Sequence, residues 1–246
     1  MTYRIDEMSW VEFAERRKQT NTVIIPTGAV EIYGPHLPMG EDGIAAMGVS
    51  QKIAEKTGAL IAPMMPVSDS RSLMAYPGTI TVSSETFKAV MDDIVECLVV
   101  EYGFKNLLFI TGHGGSVGPI NQVGLKYTKS HGINYAQIDW WRFVQPNGMD
   151  IFEEKGQMAH GHASEAGTSV MLYLRPELVV KERMTRVELN PQCFEYPDIM
   201  QYFPMDFRSP NATVGDATKG TVEKGQAIVE KCVERIVKFM NEKWEI

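Results

Sequence analysis

Short apolar runs alternate along this chain with longer stretches that repeat apolar residues every three or four positions. Four runs have the length and composition of buried strands, the last more weakly than the others, and they cover residues 23–25, 60–62, 107–110 and 135–140. The first ends in Pro26-Thr27-Gly28, a turn signal. The chain therefore opens as a series of strands, each followed by a helical pattern.

The helical pattern is clearest over residues 85–102, where Phe87, Met91 and Val95 fall on one face. Ser83 or Ser84 can cap this helix and Gly103 can end it. Other helices are predicted from Gly43 to Lys56, from after Ser116 to about His131, and from about Thr218 to Met240.

Strands joined by helices of this length pair in parallel, and the crossovers are right-handed in ~98% of cases. We therefore predict an α/β fold, a three-layer α/β/α sandwich with a mostly parallel central sheet. The sequence has no internal repeat, low-complexity tract or evident linker. Residues 1–246 are interpreted as a single domain.

Composition narrows the possible partners and location. Net charge is −7 and basic residues form no runs, which argues against nucleic acid or an anionic membrane as the partner. Residues 1–10 have no apolar signal core, and no apolar stretch approaches the ~18 residues that span a bilayer. Cys97, Cys193 and Cys232 lack metal-type spacing, and the first and last fall on apolar faces of predicted helices. We expect reduced thiols and a cytoplasmic protein.

The candidate chemistry lies in three polar, glycine-rich segments that hold four of the five histidines. The segments contribute Glu31, His36 and Asp42, then His113, then His160, His162 and Glu165. Imidazole nitrogen and carboxylate oxygen bind zinc at about 2.0–2.2 Å. Because ligands of an open parallel sheet bind beyond the carboxyl ends of its strands, these segments are expected to converge on one edge.

Each segment also has a plain structural explanation. Glu31 and Asp42 are equally explained as solvated or helix-capping carboxylates, and His36 as packing a proline-bounded loop. His113 is harder to explain in this way, because flanking glycines let the backbone approach a ligand closely. The sequence has no P-loop and no G-x-S-x-G motif, so Ser116 is interpreted as a helix N-cap.

Four segments, 28–42, 76–87, 111–116 and 161–169, resemble in matching order the creatininase (creatinine amidohydrolase) family. The resemblance implies a metal-dependent hydrolase with an α/β fold, often oligomeric, with a hexamer as the expected assembly. By the same resemblance Glu31, Asp42 and His113 match metal ligands, with Asp42 bridging two ions in dinuclear members. Glu165 matches a further acidic ligand.

The chain departs from the family pattern at four positions, two of which, Tyr33 and Gly115, concern donors to the second metal. Tyr33 stands where a histidine is common, Gly115 where creatininase has a glutamate, and Gly167 where a second glutamate is frequent. Leu73 replaces a frequent histidine. We therefore expect one metal ion, or an unusual second site for which His36 or Glu165 is a replacement ligand.

The expected reaction is metal-assisted hydrolysis of a small polar molecule at a non-peptide amide bond, with zinc as the first choice of ion and manganese or iron as alternatives. His162 is the candidate proton shuttle, and Glu165 either completes the metal shell or orients His162. Tyr33 and Arg71 are candidate substrate contacts, and the amides of Gly114 and Gly115 can stabilise an oxyanion. The alternatives are hydrolysis of a C–C bond in a cyclic ketone or oxidised inositol, or a non-catalytic metal- or ligand-binding subunit.

The segment 191–208 is rich in aromatic residues and methionine but follows neither the strand nor the helix period. Its three prolines are expected to exclude a regular element. We expect it to contribute to a subunit interface or to cover the mouth of the site.

Overall fold

The computed structural model describes residues 2–196 and 198–246. Four strands form a fully parallel sheet in the order β2-β1-β3-β4. They are β1 Thr22–Thr27, β2 Leu60–Ile61, β3 Asn106–Thr111 and β4 Asn134–Asp139. Two further strands, β5 Arg186–Val187 and β6 Gly215–Asp216, form an antiparallel pair outside this sheet. The predicted parallel sheet is confirmed.

Helices cover both faces of the sheet. Their bounds are α1 Trp10–Arg17, α2 Glu41–Thr57, α3 Ser84–Glu96, α4 Val117–His131, α5 Trp140–Asn147, α6 Gln157–His160, α7 Glu165–Leu174, α8 Met205–Arg208 and α9 Val222–Trp244. Within the part of the chain that the structure describes, none of these helices is long and apolar enough to cross a membrane.

Alternate side chains of each strand point to opposite faces, so β1 divides the core in two. Ile24 packs with buried residues of α2, α7 and α9 on one face. Val23 and Ile25 pack with buried residues of α3 and α4 on the other. The result is the α/β/α layering that the sequence predicted.

The end of α3 and the start of α9 differ from the prediction. The α3 helix ends at Glu96, and Cys97–Glu101 form one π-helical turn before Gly103, whose φ is +70°. Cys97 is exposed rather than on the apolar face, because it lies two residues, about 200°, from buried Val95. The last helix begins four residues later than predicted, because the Thr221 side chain accepts a hydrogen bond from the Lys224 amide and caps it there.

Segment 191–208 was expected to lack regular elements, and this is wrong at its two ends. Pro191–Phe194 form a 3₁₀ turn, and α8 follows Pro204 directly, since proline is tolerated at a helix start. Pro197 lies outside the described residues.

Candidate metal centre

The site lies where strand order reverses, beyond the carboxyl ends of β1 and β3. The last residues of these neighbouring strands, Thr27 and Thr111, are register partners. Glu31 follows β1 by four residues, and His113 follows β3 by two. The reversal point of an open parallel sheet is the usual place for a ligand.

Two glycines bring the start of α2 against these strand ends. A Cβ on Gly28 would lie 2.4 Å from Gly43 Cα, and one on Gly112 would lie 2.2 Å from the Asp42 carbonyl oxygen. Both positions therefore exclude any side chain. Asp42 is the second residue of α2, not a residue before it as predicted, and this close approach delivers its carboxylate to Glu31 and His113.

Glu31, Asp42 and His113 converge so that one ligand atom from each lies within 4.8 Å of the others. His113 Nδ1 is 2.9 Å from Glu31 Oε2 and 3.3 Å from Asp42 Oδ2. Both carboxylates are buried, and the histidine side chain is nearly so. The first two polar segments of the sequence thus meet at one edge of the sheet.

Neighbouring groups fix the orientation of all three side chains. His113 Nε2 lies 2.9 Å from the Asp69 carbonyl oxygen, to which it donates, and this orients Nδ1 toward the carboxylates. Ser70 Oγ donates to Glu31 Oε2 at 2.7 Å, and Trp141 Nε1 donates to Asp42 Oδ1 at 3.0 Å. One oxygen of each carboxylate therefore has a protein donor.

The triad is electrostatically unusual. Burial, together with the charge of Glu31, raises the pKa of Asp42 to about 6. Burial disfavours protonated His113, but its contacts with Asp42 and Glu31 outweigh that and raise its pKa well above the ordinary value. Burial likewise opposes the charge of Glu31, yet the hydrogen bond and charge of His113 lower its pKa. A positive charge between the two carboxylates, either on His113 or on a bound ion, would therefore stabilise the cluster.

These residues fit a divalent ion. Two ligands at about 2.1 Å from one ion, at angles of 90–109°, lie about 3.0–3.4 Å apart, which matches the Nδ1–oxygen distances. Asp42 Oδ2 is buried and has no hydrogen-bond partner among the described residues. An ion between the three side chains would satisfy this oxygen.

His162, from the third polar segment, approaches the site from the side of Tyr33. The two ring centroids are 4.2 Å apart, and His162 Nε2 lies 2.7 Å from the Ile32 carbonyl oxygen. Burial lowers the pKa of His162, although the nearby charge of Glu31 opposes this. His162 is thus neutral, with Nε2 donating and Nδ1 left to accept a proton.

Glu165 and His36 do not reach the triad, which corrects their expected placement as metal ligands. Both Glu165 oxygens accept backbone N–H bonds at 2.9 Å, from Glu153 and Glu154, and Lys224 Nζ lies 2.7 Å away. Glu165 therefore neither completes the triad nor orients His162. His36 Nε2 is 2.8 Å from Thr168 Oγ1, and burial lowers the pKa of His36 to about 4.

Three comparisons identify the family. The model for creatininase, described as creatinine amidohydrolase, matches residues 6–240. The chain belongs to the creatininase family. It is 26% identical to the creatinine amidohydrolase of Pseudomonas putida, over 98% of this chain and 96% of that protein. It is 28% identical to a mycofactocin precursor peptide peptidase of Mycobacterium tuberculosis, over 89% and 86% respectively.

Another relative of this creatininase-family chain, a 3-dehydro-scyllo-inosose hydrolase of Thermotoga maritima, is 26% identical over 96% of this chain and 81% of that protein. Among solved structures, a tryptophan-to-phenylalanine mutant of creatininase superposes with a TM-score of 0.84, at 25% identity and over 99% of both chains. A manganese form of creatininase gives 0.82, with the same identity and coverage. The chain is a hydrolase of this family, and its site supports a divalent metal.

The departures from the family pattern have a structural explanation. A Cβ on Gly115 would lie 2.3 Å from the Asp69 carbonyl oxygen, so the loop that orients His113 excludes a side chain there. A Cβ on Gly167 would lie 3.2 Å from Tyr33 Cε1. The Tyr33 ring thus packs over the backbone at which a second glutamate is frequent in the family. The absence of a side chain at position 167 therefore leaves room for the ring of Tyr33.

Four other predicted residues lie in the loops next to His113 and Asp69, and three of them are exposed. Gly114 and Gly115 are exposed in the 3₁₀ turn that precedes α4. Ser116 occupies the N-cap position but its side chain makes no capping hydrogen bond. Arg71 is exposed and forms a bidentate ion pair with Asp69, at 2.8 and 2.5 Å.

Sequence analysis missed three residues of the site, Ser70, Trp141 and Glu41. Ser70 and Trp141 hold the ligands but lie in segments without a recognisable motif. Glu41 is completely buried at the first position of α2, and neither of its oxygens has a hydrogen-bond partner among the described residues. Burial, followed by the charge of Asp42, raises its pKa well above the ordinary value. The adjacent acidic pair Glu41-Asp42 was the available signal.

Proposed function

We propose that this protein hydrolyses a non-peptide amide bond of a small polar molecule, using a divalent ion held by Glu31, Asp42 and His113. The observation that supports this most directly is the buried triad, in which His113 Nδ1 faces two carboxylates. When bound, such an ion lowers the pKa of a coordinated water and polarises a substrate carbonyl.

We propose zinc as the first choice of ion, with manganese or iron as alternatives. One imidazole nitrogen and two carboxylate oxygens make a borderline set that suits all three ions. The ligands lie after β1, at the start of α2 and after β3, and each makes a further hydrogen bond, with Ser70, Trp141 or the Asp69 carbonyl oxygen respectively for Glu31, Asp42 and His113. This support favours a defined coordination geometry over loose cation binding.

His162 is proposed to carry the proton from the attacking water to the leaving amine. Its neutral state suits a base, and its Nε2 contact with the Ile32 carbonyl oxygen fixes the tautomer. The Tyr33 ring packs against the His162 ring at a tilt of 40° and restricts its orientation. The role that the sequence suggested for Glu165 in orienting His162 is not part of this proposal.

Substrate contacts are proposed at the exposed mouth. The backbone amides of Gly114 and Gly115 stand at the start of a helix, where donors to a developing oxyanion are useful. Arg71 presents a guanidinium beside them, which suits a carboxylate or polyhydroxylated substrate. Tyr33, also expected to contact substrate, is buried and lies deeper in the site.

The test is a hydrolysis assay on small amides and lactams after chelation and after restoration with zinc, manganese or iron. We expect activity to disappear with the metal and to return with one of the three ions. His113→Ala is expected to lose both the metal and the activity. His131→Ala is the matched control, because His131 is exposed at the end of α4, far along the chain from the triad.

Elemental analysis accompanies each assay. Equal metal content in the wild type and His113→Ala would contradict the proposed ligand set. Metal retained by the wild type without hydrolysis of any amide would instead support the non-catalytic alternative, a metal- or ligand-binding subunit.

A second candidate reaction is hydrolysis of a C–C bond in a cyclic ketone or oxidised inositol. The Thermotoga maritima relative, a 3-dehydro-scyllo-inosose hydrolase, favours it. Adding oxidised inositols to the same panel separates the two reactions, because release of an amine accompanies the first and not the second.

We also propose that the protein is a homo-oligomer, with a hexamer as the expected form, and that segment 191–208 contributes to its interface or covers the site. Phe194, Tyr202 and Met200 are exposed there, Met200 completely. Exposed apolar area of this kind is uncommon on monomers. A stable monomer at micromolar concentration, with unchanged activity when Phe194, Tyr202 and Phe203 are changed to serine, would contradict this.

A further inference from the structure

Arg208, the last residue of α8, has a guanidinium without an acceptor. In the part of the chain that the structure describes, its side chain makes neither a hydrogen bond nor an ion pair, and nearby Asp206 instead accepts from the Phe207 amide. Arg183 and Arg235 also lack acceptors among the described residues, but both are exposed, whereas Arg208 is half-buried. A polar group withdrawn from water needs a replacement partner, so Arg208 suits an acceptor from outside the chain.

Arg208 lines a cavity of about 410 Å³. Ser72 and the side chains of Tyr196, Tyr202 and Phe203 line the same cavity. Small-molecule sites are typically about 300–1,000 Å³, with mostly apolar or aromatic walls and a few polar groups that fix orientation. One guanidinium among aromatic rings has the composition of such a site.

The cavity adjoins the loop that supports Glu31. Ser70, whose hydroxyl donates to Glu31 Oε2 at 2.7 Å, is the N-cap residue of the 3₁₀ turn Arg71–Leu73. Ser72, which lines the cavity, lies within that turn. A 3₁₀ turn rises only about 2.0 Å per residue, so the cavity wall begins within one turn of the residue that holds a proposed metal ligand.

The short helix that carries Arg208 is fixed to the same region. The Tyr76 hydroxyl donates to the carbonyl oxygen of Ser209, the residue after Arg208, at 2.7 Å. Met205 of α8 packs in one buried cluster with Ile32, whose carbonyl oxygen is the partner of His162 Nε2. Burial is the main cause of the lowered pKa of His162, and the positive charge of Arg208 acts in the same direction. The guanidinium is thus held on the His162 side of the metal centre.

Arg71, the other arginine of this region, is less available to a substrate. Its guanidinium already binds both carboxylate oxygens of Asp69. An incoming anion would have to displace Asp69 from Arg71, whereas it displaces no described residue from Arg208.

We propose that Arg208 binds a carboxylate of the substrate and that the aromatic side chains of the cavity bind its apolar part. The inference rests on the proposed function and narrows it, because it names the substrate class as small amides that carry a carboxylate. A planar guanidinium binds a carboxylate through two parallel N–H bonds, which gives both strength and a fixed orientation.

The test is titration calorimetry of the zinc-loaded protein with 3-phenylpropionate, which has a ring and a carboxylate but no amide to hydrolyse, and with its uncharged analogue 3-phenylpropan-1-ol. We expect the wild type to prefer the carboxylate about tenfold, as for a hydrogen bond between charged groups, and Arg208→Gln to bind both alike. Arg235→Gln is the matched control and should keep the preference, because Arg235 is exposed on α9.

Two further measurements keep the inference separate from the proposed reaction. The titrations are repeated on metal-free protein, where the same loss of preference in Arg208→Gln without hydrolysis of any amide would support the pocket and contradict the proposed reaction. With zinc, the ratio of kcat/KM for succinamate over butyramide, which differ in the carboxylate, is expected to fall in Arg208→Gln mainly through KM.

Arg208→Lys serves if Arg208→Gln does not fold, and it is expected to retain a smaller preference than the wild type, since it keeps the charge but not the paired N–H groups. Equal affinity of the wild type for the two ligands would overturn the inference. A preference that persists in Arg208→Gln would also overturn it and would mean that the carboxylate binds elsewhere, as on the zinc ion. Dissociation of an oligomer in Arg208→Gln with the preference intact would assign the guanidinium to an acid of a second copy of the chain.

Discussion

Buried carboxylates at two places in this protein differ in whether their oxygens have hydrogen-bond partners. Glu165 is completely buried, and its oxygens meet two backbone N–H donors and the ammonium of Lys224. Glu41 and Asp42 are equally buried, yet three of their four oxygens have no hydrogen-bond partner among the described residues. A buried charge is tolerated when it is paired, so the first group is complete as it stands.

Hydrogen-bond partners, rather than sequence motifs, distinguish the carboxylate that stabilises the fold from those that remain available to a metal ion. Glu165 lies in a polar, glycine-rich segment that resembles a family ligand motif, and the sequence therefore favoured it as a ligand. Its partners show that it ties the start of α7 to the loop before α6 and to α9. The acids at the start of α2 lack such partners, and Asp42 is the one that we propose as a metal ligand.

The largest expected effect is on folding, from Glu165→Ala. The change removes the acceptor of two backbone N–H groups and one of the two carboxylates that contact Lys224, and we expect a loss of about 3–5 kcal/mol in the free energy of unfolding. The affinity of the triad for metal should be unchanged. Urea denaturation of the metal-free protein measures the free energy of unfolding. Metal titration of the folded variant measures the affinity for metal.

Glu153→Gln is the control, because Glu153 contacts the same Lys224 but is more than half exposed. Only a small change in stability is expected there, because an exposed ion pair contributes little. A Glu165 variant that stays as stable as the wild type but loses metal would reverse the assignment of the two groups.

The opposite pattern is expected for Asp42→Asn. Metal affinity should fall at least 100-fold, about 2.7 kcal/mol, since an anionic ligand of the proposed triad is lost. The metal-free protein should be no less stable, because burial and Glu31 already disfavour the Asp42 charge at neutral pH. Isothermal titration and urea denaturation of the same preparation give both numbers, and a destabilised metal-free variant would contradict the interpretation.

Metal affinity should rise with pH about tenfold per unit near neutrality. The pKa of His113 is raised in the metal-free protein, so at pH 7 its Nδ1 carries a proton that the ion must displace. Titration calorimetry in two buffers of different ionisation enthalpy measures this release, and about one proton per ion is expected.

The metal-free protein should show the opposite trend in stability. A raised folded-state pKa gives stability that is complete below the unfolded value, near 6.5, and is lost as the pH rises through the folded value. Metal binding without proton release would mean that His113 is already neutral, and it would contradict both pH predictions.

Much of the fold and part of the site followed from the sequence. Alternation of strands and helices predicted the parallel sheet, and the turns after β1 and β3 placed Glu31 and His113 at one edge. The partner of Glu165 was beyond reach, because Lys224 lies 59 residues away and their contact depends on how α9 packs. The burial of Glu41 was hidden for the same reason, since it depends on Gly28 and Gly112 admitting the start of α2.

The smallest expected effect comes from Ser70→Ala. Ser70 donates to Glu31 Oε2 and does not itself belong to the triad, so we expect metal affinity to fall about tenfold, the lower end of what a supporting hydrogen bond contributes. Ser68→Ala is a close control, since Ser68 is equally buried and its hydroxyl has no partner among the described residues. Competition with a chromophoric chelator resolves a tenfold change.

Equal affinity in both variants would mean that Glu31 is held by the ion alone. A loss confined to Ser70→Ala would show that the triad depends on a preset orientation. That result would extend the contrast between the two acidic groups, because Glu31 would then combine a structural hydrogen bond on one oxygen with a metal ligand's role.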